Sequence, residues 1–209
     1  MRPDLVKEVA HLAWPVILQG VLTTVVFFTD RLLLGTYSDE ALGSMQISGP
    51  VLWSMGSILV AFATGSMAII GRSVGAKDVD RARDTLMTSL YLAVSIGLLM
   101  TWLGLSTMES IADLMGGSPD TSQSLRDLAV VYMGVVFWAA PLSFIASSGI
   151  VALQASGDTR SPMWISAIAG VANLGISWAL IFGRLGAPEL GVFGAGIGTI
   201  TSFALQAVL

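Results

Sequence analysis

The 209-residue sequence contains no cysteine, a single histidine and few charged residues. Without cysteine it has no disulfide framework, no thiolate metal site and no cysteine nucleophile. The HExxH and GxSxG motifs, a phosphate-cradling loop and paired carboxylates are also missing, so an enzyme is not expected. The net charge of −4 and the short, scattered basic segments do not predict a nucleic-acid partner. Charged residues make up only 11% of the chain, against roughly 25% in soluble domains, which excludes a soluble globular domain.

The sequence has instead six long runs without a charged residue. They cover 9–29, 41–71, 85–108, 128–157, 161–183 and 190–209. A helix that crosses the roughly 30 Å apolar core of a bilayer needs about 20 residues, and each run reaches that length. We therefore predict an all-α membrane protein in which residues 1–209 form a single lobe of six transmembrane helices. The predicted helices are 12–34, 46–70, 86–106, 126–152, 163–183 and 190–209. Because the last run stops without a flanking charge, we expect the chain to be cut inside its sixth helix.

The basic residues predict which way these helices face. Seven of the ten lysines and arginines, beginning with Arg2, lie in the N-terminal segment and in the second-to-third and fourth-to-fifth connections. The other three lie on the opposite side or at a helix end. Since cytoplasmic loops carry the excess of lysine and arginine, we expect a cytoplasmic N-terminus in the cell (inner) membrane.

Asp30 is the one carboxylate beyond the first turn of a predicted transmembrane helix, since Asp127 stands at the start of the fourth. An ionisable side chain there costs about 2.5–3.5 kcal/mol on insertion scales, so it is a functional candidate by default. Desolvation favours the protonated acid and a bound cation favours the carboxylate, so such a group can exchange a proton for a cation. The alternative is an interfacial acid at the outer end of the helix, close to Gly35. Arg31 points about 100° away around the helix and need not pair with Asp30.

Asn173 and Ser177 form the second candidate. They are four residues apart, which places both side chains on one face of the predicted fifth helix. The alternative for Asn173 is an interhelical hydrogen bond, which is worth about 0.6 kcal/mol in a membrane bundle. Thr199 and Thr201 are weaker candidates, because threonine in membrane helices commonly bonds its own backbone.

Five segments together resemble the N-terminal half of the multidrug and toxic compound extrusion (MATE) family. They are Leu12 to Gly35 with Pro15 and Asp30, Val74 to Asp78, the turn Gly157 to Pro162, Asn173 to Gly183, and the glycine-rich Gly191 to Thr199. The resemblance implies one lobe of a twelve-helix transporter with two six-helix halves. It also implies a proton- or Na⁺-coupling site formed by Asp30, Asn173 and Thr199, and a helix bend at Pro15. Ser177 stands where the family often has Asn or Asp, and this neutral hydroxyl favours H⁺ over Na⁺.

The expected function is that of a secondary active antiporter that exports organic cations or other xenobiotics in exchange for H⁺ or Na⁺. No cofactor and no metal are expected, and Asp30, Asn173, Ser177 and Thr199 are the expected coupling residues. The expected partner is a second six-helix lobe in the bilayer, either a missing C-terminal half or a second copy of the chain. Two alternatives stay open. One is a lipid-linked oligosaccharide flippase of the related superfamily, which calls for more cationic residues around the cavity. The other is a non-transporting scaffold lobe, in which Asp30 and Asn173 face lipid or tight helix contacts and no cavity lies between the first and fifth helices.

Overall fold

The computed structural model describes residues 3–116 and 123–209 of the chain. Arg2, which contributes to the predicted orientation, lies outside these ranges. The described residues form seven α-helices and no strand: α1 Pro3–Tyr37, α2 Asp39–Gly75, α3 Val79–Met115, α4 Gln123–Trp138, α5 Ala140–Ala155, α6 Arg160–Ile181 and α7 Val192–Val208. The all-α fold expected from the sequence is thereby confirmed.

Most of these helices have the length and composition of membrane spans. Within the described ranges α1, α2, α3 and α6 are long and apolar enough to cross a bilayer, and the bent pair of α4 and α5 has the length and composition of a fifth such segment. α7 is also apolar but has 17 residues. At 37 residues each, α2 and α3 are about 55 Å long and therefore extend beyond the apolar core of a membrane.

The fourth predicted span, 126–152, consists of two helices instead of one. α4 ends at Trp138, α5 begins at Ala140, and their axes differ by 50°. Pro141 causes this break, because it has no N–H to donate to the carbonyl of Phe137 and its ring crowds that oxygen. Thr101 of α3 donates its hydroxyl to the free carbonyl of Phe137 over 2.7 Å. The bend is therefore stabilised by a hydrogen bond from a neighbouring helix.

Glycine allows neighbouring helices to approach closely at two places. A Cβ atom at Gly97 of α3 would overlap the backbone of Pro141, so only glycine lets α3 lie against the bend. A Cβ atom at Gly194 of α7 would lie 2.8 Å from the backbone of Leu180, and one at Gly198 would overlap the hydroxyl of Ser177. α7 is thus packed directly on α6 along a stripe of small residues.

Two apolar clusters of buried residues both contact α4. One joins α2, α3, α4 and the start of α5, and the other joins α1, α2, α6 and α7. Tyr132 of α4 packs against both clusters. Its position between them brings a phenolic hydroxyl in among these apolar side chains.

Candidate functional site

α1 and α6 pack against each other and carry polar residues at two levels along their shared interface. Gln19 and Asp30 of α1 are eleven residues apart, which is about three helical turns and returns to the same face. Ser166 and Ser177 of α6 have the same spacing. The two helices therefore meet in two polar layers, which we name the Asp30 layer and the Gln19 layer.

The Asp30 layer contains three oxygen atoms that are buried and lack a hydrogen-bond partner: Asp30 Oδ1, Asn173 Oδ1 and Ser177 Oγ. The hydroxyl of Ser177 is the side-chain group that lies beside the carboxyl group of Asp30. Ser177 is completely buried and Asn173 is 2% exposed. Buried polar atoms in native structures are nearly always paired, so these three unpaired oxygens on facing helices make the layer a candidate binding site.

The Gln19 layer differs from the Asp30 layer because its polar groups satisfy one another. Gln19 Nε2 donates to Ser166 Oγ over 2.9 Å, and Gln154 Nε2 of α5 donates to Gln19 Oε1 over 2.9 Å. Pro15 lies buried one helical turn before Gln19, and α1 continues through it as one helix. The Gln19 layer thus holds three helices together and leaves the unpaired oxygens to the other layer.

A tight apolar contact separates the two layers. Val26 of α1 faces Gly170 of α6, where an added Cβ atom would lie 3.0 Å from Val26 Cγ2. The contact brings the two helix backbones close together between the polar levels. Any path from one layer to the other along this interface would have to open it.

Tyr132 belongs to the same site, although the sequence analysis did not select it. Its phenol lies beside the Thr199 side chain and within electrostatic reach of Asp30 and Arg31. Thr199 donates its hydroxyl to the carbonyl oxygen of Ala195 on its own helix over 3.2 Å. This is the backbone bond that made Thr199 a weaker candidate in the sequence. No local pattern marks Tyr132, because Tyr91 also falls in a predicted span and its side chain is largely exposed.

Arg31 does not pair with Asp30, which agrees with its position about 100° away around the helix. Its guanidinium carbon lies 4.2 Å from the centre of the Phe27 ring, one turn earlier on α1. A Cβ atom at Gly49 of α2 would lie 3.2 Å from the Arg31 Nη2 atom. The arginine is therefore held between α1 and α2, and the carboxyl group of Asp30 is left without a cationic partner on its own helix.

This arrangement can hold a small positive particle. Asp30 supplies one carboxylate, Asn173 an amide oxygen and Ser177 a hydroxyl oxygen, while Tyr132 and Thr199 place two more oxygens nearby. A proton needs only the carboxylate oxygen, whereas a bare cation needs several of these oxygens to replace its water. Among the described residues no group of three His, Cys, Asp or Glu side chains forms a metal site.

Comparison with known proteins gives a consistent family. A profile of the MatE family matches residues 15–179. "Probable multidrug resistance protein NorM" from Thermotoga maritima is 29% identical over 200 residues, which are 96% of this chain and 42% of that protein. A "FAD transporter" from Shewanella oneidensis is 29% identical over 185 residues, which are 88% of this chain and 40% of that protein.

A solved structure supports the fold. It shows the outward-facing conformation of a multidrug resistance MATE family transporter of the MOP superfamily, and it matches with a TM-score of 0.88 at 21% identity. The match covers 97% of this chain and 43% of that one, and the chain likewise spans about two-fifths of the curated relatives it matches. It corresponds to the N-terminal half of these proteins. The profile match over most of its length shows that the chain belongs to the MatE family, whose members are membrane transporters and not enzymes.

Proposed function

We propose that this chain is the N-terminal lobe of a secondary active antiporter that exports organic cations in exchange for H⁺. The observation that carries the proposal is the set of three unpaired, buried oxygens contributed by Asp30, Asn173 and Ser177. In this setting the desolvated carboxyl group favours its neutral form, whereas a bound cation favours its charged form. The Asp30 layer is the coupling site in this proposal, with Tyr132 and Thr199 at its edge.

The exchange of a proton for substrate follows from the chemistry of one carboxyl group. When Asp30 is neutral it can donate a hydrogen bond to one of the unpaired oxygens beside it, which draws α1 towards α6. When it is charged it attracts a cation and loses that donor. A tenfold effect of one ligand on the binding of the other needs only about 1.4 kcal/mol of difference between the two states.

Pro15 is where we propose that α1 changes its course during this exchange. A proline within a helix leaves one carbonyl unbonded, which lowers the resistance of the helix to bending at that point. The Gln19 layer holds α1 to α5 and α6 one turn beyond Pro15. Because Gln19 lies between Asp30 and Pro15, a movement that starts at Asp30 must shift or break these hydrogen bonds before it reaches Pro15.

The proposed partner of this lobe is a second six-helix lobe, because the chain covers about two-fifths of its relatives. Two lobes that rock against each other around a site near the middle of the membrane give alternating access. A second half of the same protein supplies that lobe in this proposal, and a second copy of the chain is the less favoured source. The N-terminus is proposed to lie in the cytoplasm and the protein in the inner membrane.

The structure gives less support to the two alternatives left open by the sequence. A flippase for a pyrophosphate-linked sugar calls for cationic residues at the cavity, and Arg31 is instead held against Phe27 and Gly49. A scaffold lobe calls for Asp30 and Asn173 to face lipid or tight helix contacts, with no cavity between the first and fifth predicted helices. The oxygens of the Asp30 layer are buried and unsatisfied, which favours binding over scaffolding.

The test replaces Asp30 with asparagine in the gene product that contains this chain, expressed in bacteria without their own efflux pumps. We expect Asp30→Asn to abolish resistance to a cationic dye and its efflux from loaded cells. Asp39→Asn is the matched control, because Asp39 is an exposed aspartate in the first turn of α2. Undiminished efflux by Asp30→Asn, at equal protein levels, would contradict the proposed coupling site.

Two further arms of the experiment address the coupling ion and the substrate. In membrane vesicles, we expect a pH gradient to drive dye movement and a Na⁺ gradient at constant pH to drive none. Movement driven by Na⁺ alone would replace H⁺ with Na⁺ in the proposal. Because one relative is a FAD transporter, FAD is tested beside the dye, and transport of FAD without transport of the dye would reject organic cations as the substrate class.

A further inference from the structure

The connection between α2 and α3 forms a second site that the transport proposal does not use. A cavity of about 380 Å³ lies where α2 ends and α3 begins. Its lining consists of Ile69, Arg72, Ser73, Ala76, Asp78 and Arg81. We name this cavity the α2–α3 cleft.

The cleft presents two guanidinium groups that have no acidic partner. Neither Arg72 nor Arg81 forms an ion pair within the described ranges, where the one such pair joins Arg126 to Asp113 at 3.8 Å. The acid in the cleft, Asp78, uses Oδ1 to accept the backbone N–H of Arg81 over 3.0 Å. Two arginines and one aspartate leave the lining with a formal charge of +1.

Helix stability accounts for one of these arginines but not for the other. Arg72 lies in the last turn of α2, where a cation complements the negative end of the helix dipole. Arg81 lies in the first turn of α3, after the N-cap Asp78, where the same dipole disfavours a cation. An anion bound between the two arginines would also face the positive end of α3, where Asp78 and Asp80 already place negative charge.

The cleft lies at the boundary between the apolar surface and the charged connection. The charge-free run 41–71 ends directly before Arg72, and Ile69 within it is 45% exposed. Val79, at the start of α3, is exposed as well. In a bilayer, phosphate groups lie at this boundary and acyl chains begin just beneath it. Arginine binds phosphate oxygens with two parallel hydrogen bonds, which a pair of arginines can provide from both sides.

From this geometry we infer that the α2–α3 cleft binds the headgroup of a monoanionic phospholipid such as phosphatidylglycerol. Its phosphodiester group lies between Arg72 and Arg81, and its acyl chains run along the surface that includes Ile69. The single negative charge of this headgroup matches the net charge of the lining. A zwitterionic phosphatidylethanolamine would bring an ammonium group that leaves one positive charge of the cleft uncompensated.

The test uses the purified gene product that contains this chain, in detergent, with phosphatidylglycerol and phosphatidylethanolamine of identical acyl chains added in equal amounts. Native mass spectrometry then measures which lipid stays bound. One net positive charge near a membrane surface is worth about 1 kcal/mol, so we expect about fivefold more retained phosphatidylglycerol. Equal retention of the two lipids by the unaltered chain would overturn the inference.

Variants on the same connection separate the cleft from general attraction to a basic surface. Arg72→Gln with Arg81→Gln is expected to bring the two lipids to equal retention. The matched control is Lys77→Gln with Arg83→Gln, which removes two charges from the same segment outside the lining and should keep the preference. Loss of the preference in both double variants would overturn the assignment to the cleft. Inorganic phosphate at millimolar concentration should not displace the lipid, and displacement would reject a lipid as the source of the phosphate.

Discussion

Replacing Gly198 with alanine should destabilise the lobe through the packing of α7 on α6. An added Cβ atom would overlap Ser177 Oγ, and it would lie 3.1 Å from the carbonyl oxygen of Asn173 and 3.2 Å from Ser177 Cβ. The hydroxyl can rotate away, but the other two atoms belong to or adjoin the backbone of α6, so the helices must separate. Overpacking of this kind costs about 1–3 kcal/mol. At about 2–4 °C per kcal/mol for a chain of this size, the melting temperature should fall by about 2–12 °C.

Thermal unfolding of the purified chain in detergent, followed by tryptophan fluorescence, measures this effect. The matched control is Gly175→Ala on α6, where an added Cβ atom meets nothing within 4 Å. Alanine is favoured over glycine in a helix by up to about 1 kcal/mol, so the control should melt at or above the temperature of the unaltered chain. Adding Ser177→Ala to Gly198→Ala removes the overlapping hydroxyl and should restore part of the loss. If Gly198→Ala melts no lower than Gly175→Ala, the packing of α7 on α6 described above is wrong.

Three other substitutions test separate features of the lobe. Gln19→Leu removes two interhelical hydrogen bonds and should lower the free energy of unfolding by about 1 kcal/mol, which thermal unfolding detects. An unchanged melting temperature would show that the Gln19 layer does not hold the helices together. Thr101→Val leaves a carbonyl at the α4–α5 bend without its donor and should cost about 0.6–1.7 kcal/mol of stability. Thr107→Val on the same helix loses only a bond to its own backbone and should cost less. Equal losses would contradict the stabilisation of the bend by Thr101. Hydrogen bonds from Ser161 hold the pKa of Asp158 below its ordinary value, so this carboxylate stabilises the fold at neutral pH, and the benefit is lost as the pH falls through that lowered pKa. The melting temperature of Asp158→Ala should therefore lie below that of the unaltered chain at pH 7 and approach it below about pH 4, and a difference independent of pH would count against this role.

The residues of the Asp30 layer were predictable because each is polar within an apolar run. Asp30, Asn173 and Ser177 are surrounded in the sequence by apolar residues, and the spacing of Asn173 and Ser177 already placed these two on one helix face. Tyr132 was not predictable in this way, because a tyrosine is compatible with both lipid and interior positions. Its assignment depends on α4 lying between two apolar clusters, a long-range arrangement with no signature in the neighbouring residues.

The Gln19 layer shows the same limit more sharply. Gln19 and Gln154 are 135 residues apart and lie on α1 and α5, which are brought together only by the packing of the whole lobe. A glutamine in a span predicts that some partner exists, because an unpaired amide in the membrane is costly. It does not predict which helix supplies that partner.

The amino-acid sequence alone determined that this chain is an all-helical membrane lobe, because the preference of each apolar run for lipid over water depends only on the residues of that run. It also singled out the polar residues of the Asp30 layer, since the cost of a polar side chain in lipid is local as well. Only the tertiary structure decided which proline breaks its helix. Pro15 and Pro50 lie within continuous helices, whereas Pro141 divides the fourth span. The physical reason lies on α3, where Thr101 supplies a donor for the carbonyl that Pro141 leaves free and Gly97 leaves room for the bend.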